Sequence, residues 1–153
     1  LNTDMDIKYR QFEASDKKVI AELIESLHRE DPGDKPMSVQ KIKNTFDALT
    51  DHPDRGMIIV FEYQKEIIGY AILINFWSNE FGGNIVSIDE LYIKKEFRSQ
   101  GIGTNFIKYL AENTIGNSVA LQLEVTSHNK KARKLYESIG FKPHKKNIFD
   151  LEL

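Results

Sequence analysis

The chain has 153 residues, of which 41% are hydrophobic and 29% charged, with 23 acidic against 21 basic side chains and no cysteine. This length and composition predict one ordered domain, which we place at residues 5–153. The absence of cysteine excludes a disulfide scaffold, a thiolate metal site and an acyl-cysteine intermediate. No apolar run approaches the roughly 20 residues that a membrane span requires, and no secretory leader is visible, so we expect a cytoplasmic protein with no membrane partner.

The net charge of −2 hides an uneven distribution along the chain. Residues 1–93 hold 17 acidic and 10 basic side chains, whereas residues 94–153 hold 6 acidic and 11 basic ones. Such a split can reflect a charged tail or two partners of opposite charge, but charge alone favours an accidental distribution of solvated helix faces.

The first half of the chain predicts a strand, a pair of helices and a hairpin. In chain order, these elements are a strand at residues 7–12, a helix that begins near Asp16 and carries Val19, Ile20, Leu23, Ile24 and Leu27 on its apolar face, a second helix capped by Ser38, and strands at 57–63 and 67–75. The last two strands surround a short polar turn, which is typical of a hairpin. Gly69 lies inside the second of them and therefore predicts a bulge or a close backbone approach.

The second half of the chain predicts strands and helices in alternation. In chain order, these elements are a loop at 76–84, a strand at 85–93, a helix that Gly101 opens, a strand at 119–125, a helix at 129–139 and one or two short strands after Phe141. A strand–helix–strand unit is right-handed and places its strands parallel, so the strands at 85–93 and 119–125 are expected to be parallel. The other connections are hairpin-like, and the sheet is therefore predicted to be mixed.

The most informative stretch lies between the strand at 85–93 and the helix that follows it. Arg98 is followed there by Gly101 and Gly103, which let main-chain N–H groups converge on an anion at a helix N-terminus. Arg98 adds a full positive charge, as a pyrophosphate site requires. The stretch lacks the third glycine of a dinucleotide fingerprint and the Gly-Lys-Ser/Thr of a P-loop.

A second stretch lies about 30 residues downstream and has Asn129, Ala132, Tyr136, Gly140 and Phe141 at fixed spacing. Together, the two stretches closely resemble the GNAT superfamily of acyl-CoA N-acyltransferases. The phosphate loop of that family reads Arg/Gln-x-x-Gly-x-Gly/Ala, and its later helix reads Asn-x-x-Ala-x-x-x-Tyr-x-x-x-Gly-Phe. The resemblance implies an α/β (α+β) GNAT fold with a mixed sheet of six or seven strands, about four flanking helices and splayed parallel strands at the acetyl-CoA site.

The same resemblance implies acetyl-CoA as the co-substrate and no metal. The residues that it assigns to the pyrophosphate are Arg98, Ser99, Gln100, Gly101, Ile102, Gly103 and Thr104. The backbone of Leu91, Tyr92 and Ile93 would pair with the pantetheine arm like an added strand, and one N–H there would polarise the thioester carbonyl. Asn129 would contact the same cofactor, and it also suits the N-cap of its helix.

Acetyl transfer to an amine needs a proton donor for the leaving thiolate and a route for the proton of the amine. Tyr136 matches the acid of the family, and a phenol with a pKa of about 10 suits a thiolate, although periodicity alone places Tyr136 in the apolar stripe of its helix. Asp89 and Glu90 are the candidate bases. As neighbours on a strand they face opposite sides, so only one can face the acceptor. A chain of water molecules is the alternative route.

The resemblance bounds the acceptor site by the first two helices and the loop at 76–84. Phe76, Trp77, Glu80 and Phe81 are predicted to form an aromatic and acidic wall for a cationic amine, or else merely to cover the edge of the core. His28 is predicted to be an ordinary helix-surface residue, and the other histidines show no metal-ligand spacing.

We therefore expect an enzyme that moves an acetyl group from acetyl-CoA to a primary amine by direct attack in a ternary complex. A small cationic amine is favoured, because the acidic part of the chain is the expected acceptor side and the basic part the CoA side. A protein lysine or N-terminal amine is the alternative acceptor, and an acyl-CoA-binding module without turnover is the alternative class. No nucleic-acid partner is expected, since no base-stacking motif accompanies the basic part. A homodimer is common in the family.

Overall fold

The computed structural model describes residues 5–113 and 115–153, which belong to two compact units. The first unit ends at Leu123 and the second begins at Glu124. The elements of the first unit are β1 (Lys8–Gln11), α1 (Lys17–Glu30), α2 (Val39–Asp51), β2 (Gly56–Tyr63), β3 (Glu66–Ser78), β4 (Gly83–Ile93), α3 (Ile102–Asn113) and β5 (Ala120–Leu123). The second unit contains α4 (Lys130–Ile139). Within these residues, no helix is long and apolar enough to cross a membrane.

The five strands form one mixed sheet in the order β1-β2-β3-β4-β5. The first four strands pair antiparallel, and β4 and β5 pair parallel across the crossover that contains α3. The mixed sheet, the parallel pair and the hairpin of β2 and β3 confirm the predicted topology.

The predicted number of strands was wrong. The described residues form five strands instead of six or seven, and residues 140–153 adopt neither helix nor strand. A strand is stable only beside another strand or a packing surface. Ile148 and Phe149 keep 69% and 91% of their surface exposed, so their apolar character produces no strand.

The predicted loop at 76–84 was too long. Phe76 pairs with Ile85 and Trp77 with Asn84, so β3 and β4 extend to a turn of only four residues, 79–82. The aromatic residues that suggested a loop are tolerated at the end of a strand because a strand exposes part of its surface there.

Both faces of the sheet are covered by helices within the first unit. On one face, α1 and α2 pack Ile20, Ile24 and Phe46 against Val60 and other side chains of the sheet. The next residue of β2, Phe61, points the other way and packs its ring against Phe106 of α3 at 4.6 Å. One face of the sheet is therefore covered by α1 and α2 and the other by α3. Side chains of β4 that alternate between the faces contact different helices.

Two bulges interrupt the sheet. At the first, Phe61 pairs with Gly69 and Glu62 with Ile67, and a Cβ on Gly69 would lie 2.4 Å from the carbonyl oxygen of Tyr92. The predictions of a bulge and of a close backbone approach at Gly69 are both confirmed. The second bulge lies in β4 and is part of the site described next.

Candidate active site

The second half of β4 has a partner on one side only. Parallel pairing with β5 ends at Ile88 and Leu123, whereas antiparallel pairing with β3 continues to Ile93. Within the described residues, positions 89–93 of β4 therefore present an open edge toward the side of β5. An open edge offers backbone donors and acceptors to an added strand or an extended ligand.

The direction of the backbone groups on this edge follows from the pairing with β3. The N–H of Lys94 donates to the carbonyl of Ile68 at 2.8 Å, so the polar groups of Lys94 face β3. Neighbouring residues in a strand alternate, and the N–H and C=O groups of Leu91 and Ile93 therefore face the open edge. Two of the three residues predicted to pair with a pantetheine arm thus have backbone groups directed for it.

The loop after β4 leads into the N-terminus of α3. Ser99 and Gly101 have φ angles of +62° and +77°, which fold the chain back before the helix begins at Ile102. The N–H of Asn105 bonds the carbonyl of Gly101 at 2.9 Å, so the N–H groups of residues 102–104 precede the first helical hydrogen bond. These groups carry the positive end of the helix dipole, where an anion binds.

Gly103 lies against the side chains of Leu91 and Ile93. A Cβ on it would be 3.7 Å from Leu91 Cδ2 and 3.8 Å from Ile93 Cδ1, which is ordinary contact distance. The start of α3 is therefore adjacent to the two residues whose backbone groups face the open edge. A ligand with a pyrophosphate at one end and an extended arm can span both.

Arg98 is held by protein groups at the end of β4. Its guanidinium donates to Glu30 Oε2 at 2.6 Å and to the carbonyl of Ile93 at 2.8 Å, and it lies 5.2 Å from the ring centroid of Tyr92. The Arg98 hydrogen bond lowers the pKa of Glu30, and the hydroxyl of Tyr92 donates to the other Glu30 oxygen at 3.1 Å. The ion pair between Arg98 and Glu30 thus connects the loop to the end of α1.

Glu90 lies on the face of the sheet that α1 covers. Its Oε1 accepts a hydrogen bond from the hydroxyl of Tyr70 at 2.8 Å, and its Oε2 lies 2.7 Å from His28 Nε2. Burial raises the pKa of Tyr70, and the charge of Glu90 raises it further, so the phenol keeps its proton. The Glu90 side chain is only 14% exposed.

Asp89 is the extra residue of the second bulge. Ile72 pairs with Glu90 and Leu73 with Ile88, so the register shifts by one residue at Asp89. Asp89 is exposed, in contrast to Glu90. The two candidate bases therefore have different surroundings, and the bulge contributes to the difference because it interrupts the regular alternation of the strand.

The prediction that His28 is an ordinary helix-surface residue was wrong. Its side chain is 19% exposed and contacts Glu90, which is 62 residues away in the chain. His28 Nδ1 is buried and has no hydrogen-bond partner in the described part of the chain. The spacing of four residues that joins Ile20 and Ile24 continues to His28, and this is the signal that places His28 on the inner face of α1.

The second unit holds the other two predicted site residues on α4. The Asn129 side chain accepts a hydrogen bond from the N–H of Ala132 at 3.0 Å, which confirms that it caps the helix. Its contact with a cofactor stays a prediction. Gly140 ends the helix with a φ of +113°, in the left-handed region that favours glycine.

Tyr136 is half-buried on the same helix. Its ring lies 5.9 Å from the ring of Phe141 in an edge-on arrangement. Burial raises the pKa of the Tyr136 phenol, so the hydroxyl is protonated at neutral pH, as a proton donor must be.

The pattern of the acetyltransferase (GNAT) family matches residues 20–141, which is most of the chain and includes the loop, β4 and α4. The chain belongs to this family. The two motifs on which the resemblance was based both lie inside the matched region.

Relatives and solved structures of GNAT proteins agree with this assignment. The chain is 36% identical over 75 residues to a thialysine N-epsilon-acetyltransferase of Bos taurus, a match that covers 48% of this chain. The match spans 44% of the bovine protein, so this chain covers less than half the length of that relative. A structure of a possible acetyltransferase from Clostridium difficile 630 superposes with a TM-score of 0.83 at 24% identity, over 96% of this chain and 97% of that one. The structure of AAC(6')-Iy with the bisubstrate analog CoA-S-monomethyl-acetylneamine superposes with a TM-score of 0.76 at 16% identity, over 96% and 98% of the two chains.

GNAT proteins use acetyl-CoA, and the donor side of this site fits that molecule. The unpaired N–H groups at the start of α3 suit a pyrophosphate, and the backbone of Leu91 and Ile93 suits an amide-bearing arm. Because Gly103 has no side chain, the space beside Leu91 and Ile93 at the start of α3 stays open. Within the described residues, no group of three or more His, Asp or Glu side chains is placed to hold a metal.

The predicted acceptor wall is not assembled as expected in this GNAT fold. Phe76 and Trp77 are neighbours on β3, so their side chains point to opposite faces of the sheet and cannot form one wall. Glu80 and Phe81 lie in the turn between β3 and β4. Ile72 is the partner of Glu90, and Phe76 lies four residues further along β3. Phe76 is therefore about 13 Å from Ile72 along the strand.

Proposed function

We propose that this chain transfers an acetyl group from acetyl-CoA to a primary amine by direct attack in a ternary complex. The observation that carries the proposal is the open edge of β4 at residues 89–93, adjacent to the unpaired N–H groups of residues 102–104. A long anionic ligand with an amide-bearing arm matches both features at once. The family match supports the same donor.

On the donor side, the proposed roles belong mainly to the backbone. The N–H groups of residues 102–104 hold the pyrophosphate, with Ser99, Gln100 and Gly101 shaping the loop. Leu91 and Ile93 pair with the arm, and an N–H on this edge donates to the thioester carbonyl and stabilises the negative charge that develops there. Arg98 holds the loop against α1 through Glu30. Bound acetyl-CoA supplies the activated acetyl group.

On the proton side, Tyr136 is proposed to protonate the leaving sulfur. Its hydroxyl is protonated at neutral pH, and a phenol is close in basicity to a thiolate. Asp89 or a water chain is proposed to receive the proton that the amine loses. Because the chain has no cysteine, no cysteine-bound acetyl intermediate is needed or available.

A small cationic amine is the proposed acceptor. The part of the chain before residue 94 holds 17 acidic and 10 basic side chains, and α1 brings Glu30 and His28 to the same stretch of β4 as Asp89 and Glu90. Negative potential attracts a protonated amine and excludes anionic substrates. The bovine relative is named for acetylation of the epsilon nitrogen of thialysine, which supports a small amine.

A panel of acceptors tests the proposal. Release of free thiol from acetyl-CoA is measured with a diamine, a lysine analogue, an amino sugar and a lysine-containing peptide. We expect turnover with at least one small cationic amine. Turnover with the peptide alone would indicate a protein acetyltransferase. Binding of acetyl-CoA with no turnover on any acceptor would indicate a binding module and would overturn the proposal.

Replacement of Tyr136 tests the proton donor. Tyr136→Phe is expected to lower kcat by about 100-fold, because the leaving sulfur loses its acid, while the Kd for acetyl-CoA stays unchanged. Tyr63→Phe is the matched control, since its hydroxyl accepts a hydrogen bond from the adjacent Gln64 amide in the β2–β3 turn. An unchanged kcat in Tyr136→Phe removes this residue from the mechanism.

A further inference from the structure

Both carboxylate oxygens of Glu90 are held by other side chains. Tyr70 donates its O–H to Oε1, and its phenol is fully buried and retains its proton. His28 Nε2 lies 2.7 Å from Oε2. These two contacts fix the position of the Glu90 carboxyl group against the inner face of α1.

The surroundings of His28 favour a hydrogen on Nε2, which is then donated to Glu90. Nδ1 is buried without an acceptor among the described residues, so a hydrogen on it would be left unsatisfied. Nε2 lies 2.7 Å from Oε2, which accepts the hydrogen there. Tyr70 and His28 are then both donors, and Glu90 accepts a hydrogen bond from each.

Glu90 keeps acceptor capacity for a third partner. A carboxylate has about four lone-pair positions, and the two side chains use one on each oxygen. The Glu90 side chain retains 14% of its surface exposed, and Glu90 directly precedes Leu91, whose backbone faces the open edge. Two cations near this end of β4 are held by other groups: Arg98 is bound to Glu30 and to the carbonyl of Ile93, and Lys94 is paired with Glu66. A cationic group from an acceptor would therefore meet a carboxylate that is fixed in position and close to the arm of the donor.

We propose that Glu90 binds a second positive charge of the acceptor, beyond the amine that is acetylated, and that His28 is the positioning residue that holds Glu90 for this task. The inference rests on the proposed acetyl transfer and specifies its substrate class as diamines or amines with a second cationic group. It also separates the two neighbouring carboxylates. Glu90, which two donors hold in position, binds charge, and removal of the proton from the reacting amine falls to Asp89 or to water.

A matched pair of acceptors tests directly whether Glu90 binds the second positive charge, a role that we call the Glu90 anchor. Diaminobutane and butylamine have the same chain length and differ by one ammonium group. The wild-type protein is expected to show a kcat/KM about 10-fold or more higher for diaminobutane. Glu90→Gln is expected to abolish this preference by raising the KM for diaminobutane while kcat and the KM for acetyl-CoA stay within about twofold. Glu66→Gln, which removes an equal charge at the start of β3, is the control and is expected to keep the preference.

Two replacements of His28 separate positioning from general packing. His28→Gln places an amide N–H near the position of Nε2 and is expected to retain most of the diamine preference. His28→Ala leaves Oε2 without its donor and is expected to raise the KM for diaminobutane about 10-fold, at unchanged KM for butylamine. Unfolding midpoints of both variants verify that the protein still folds.

The outcomes distinguish the Glu90 anchor from a role of Glu90 as the base. If Glu90→Gln keeps the preference for diaminobutane, the Glu90 anchor is overturned. Glu90→Gln with a large loss of kcat for both acceptors, and loss of the acidic limb of the pH profile, shows that Glu90 is the base instead. If the wild-type protein acetylates no amine, the proposed function fails, and calorimetric binding of diaminobutane to wild type and Glu90→Gln still tests the anchor. Equal affinity of the two proteins for diaminobutane in that measurement overturns it.

Discussion

The two halves of β4 belong to one strand but have different neighbours. From Ile85 to Ile88 the strand pairs with both β3 and β5, and its residues are mostly buried. From Glu90 to Ile93 the described residues pair it with β3 alone, and polar side chains appear on the face that meets α1. The first half is part of the core, and the second half is the one for which we propose ligand binding.

The border between the halves coincides with the bulge. Asp89 is the extra residue, and Ile88 is the last residue of β4 that pairs with β5. A bulge bends a strand and increases its local twist, which moves the following residues away from a neighbour that does not follow. One inserted residue thus separates the segment that pairs on both sides from the segment with the open edge.

The largest expected effect comes from filling the space over the second half. Gly103→Trp places an indole over Leu91 and Ile93, between the loop and the open edge. We expect the Kd for acetyl-CoA to rise by at least about 100-fold, measured by calorimetry, with a small change in the unfolding midpoint. Gly33→Trp is the control, because a Cβ there meets no atom within 4 Å. Retained affinity in Gly103→Trp would show that the donor binds elsewhere.

The next effect contrasts one apolar residue from each half. Ile85→Ala, in the buried first half, is expected to lower the free energy of unfolding by about 2–5 kcal/mol and to leave the Kd for acetyl-CoA unchanged in the folded protein. Leu91→Ala, half-buried on the second half, is expected to cost about 1 kcal/mol or less in stability and to weaken acetyl-CoA binding. Urea unfolding and calorimetry provide the two measurements. If both variants lower stability alone, or both weaken acetyl-CoA binding alone, the two halves of β4 do not differ in role.

The smallest effect concerns the ion pair at the end of the second half. Arg98→Gln removes the charge that joins Glu30 to the carbonyl of Ile93. Both side chains of the ion pair are more than a third exposed, so we expect less than about 1 kcal/mol of lost stability. The KM for acetyl-CoA is expected to rise several-fold, because the loop loses its attachment to α1. Arg29→Gln, whose side chain bonds the neighbouring Ser26, is the control and should leave this KM unchanged.

Local signals made the donor side predictable. The cap at Asn129 and the left-handed turn at Gly140 depend on residues within one or two turns of themselves, and the structure confirms both. The start of α3 at Gly101 is equally local. The family match then covers the stretch that these signals had marked.

Features that depend on distant neighbours were not predictable from the sequence. The contact of His28 with Glu90 joins residues 62 positions apart, and only the packing of α1 on the sheet creates it. Phe76 and Trp77 suggested a loop because they are aromatic and precede glycines, yet the backbone of residues 83–85 extends the hairpin around them. The expected strands after Phe141 failed for the same reason, since strand formation depends on a partner as well as on composition.

The open edge of β4 also bears on how the protein behaves at high concentration. Unpaired strand edges are templates on which strands of other molecules add, and soluble proteins usually protect them with charge, proline or a covering segment. Here the N–H and C=O groups of Leu91 face such an edge. If the donor lies along this edge as we propose, it also blocks edge-to-edge association. Colloidal stability and occupancy by the donor would then depend on the same few backbone groups.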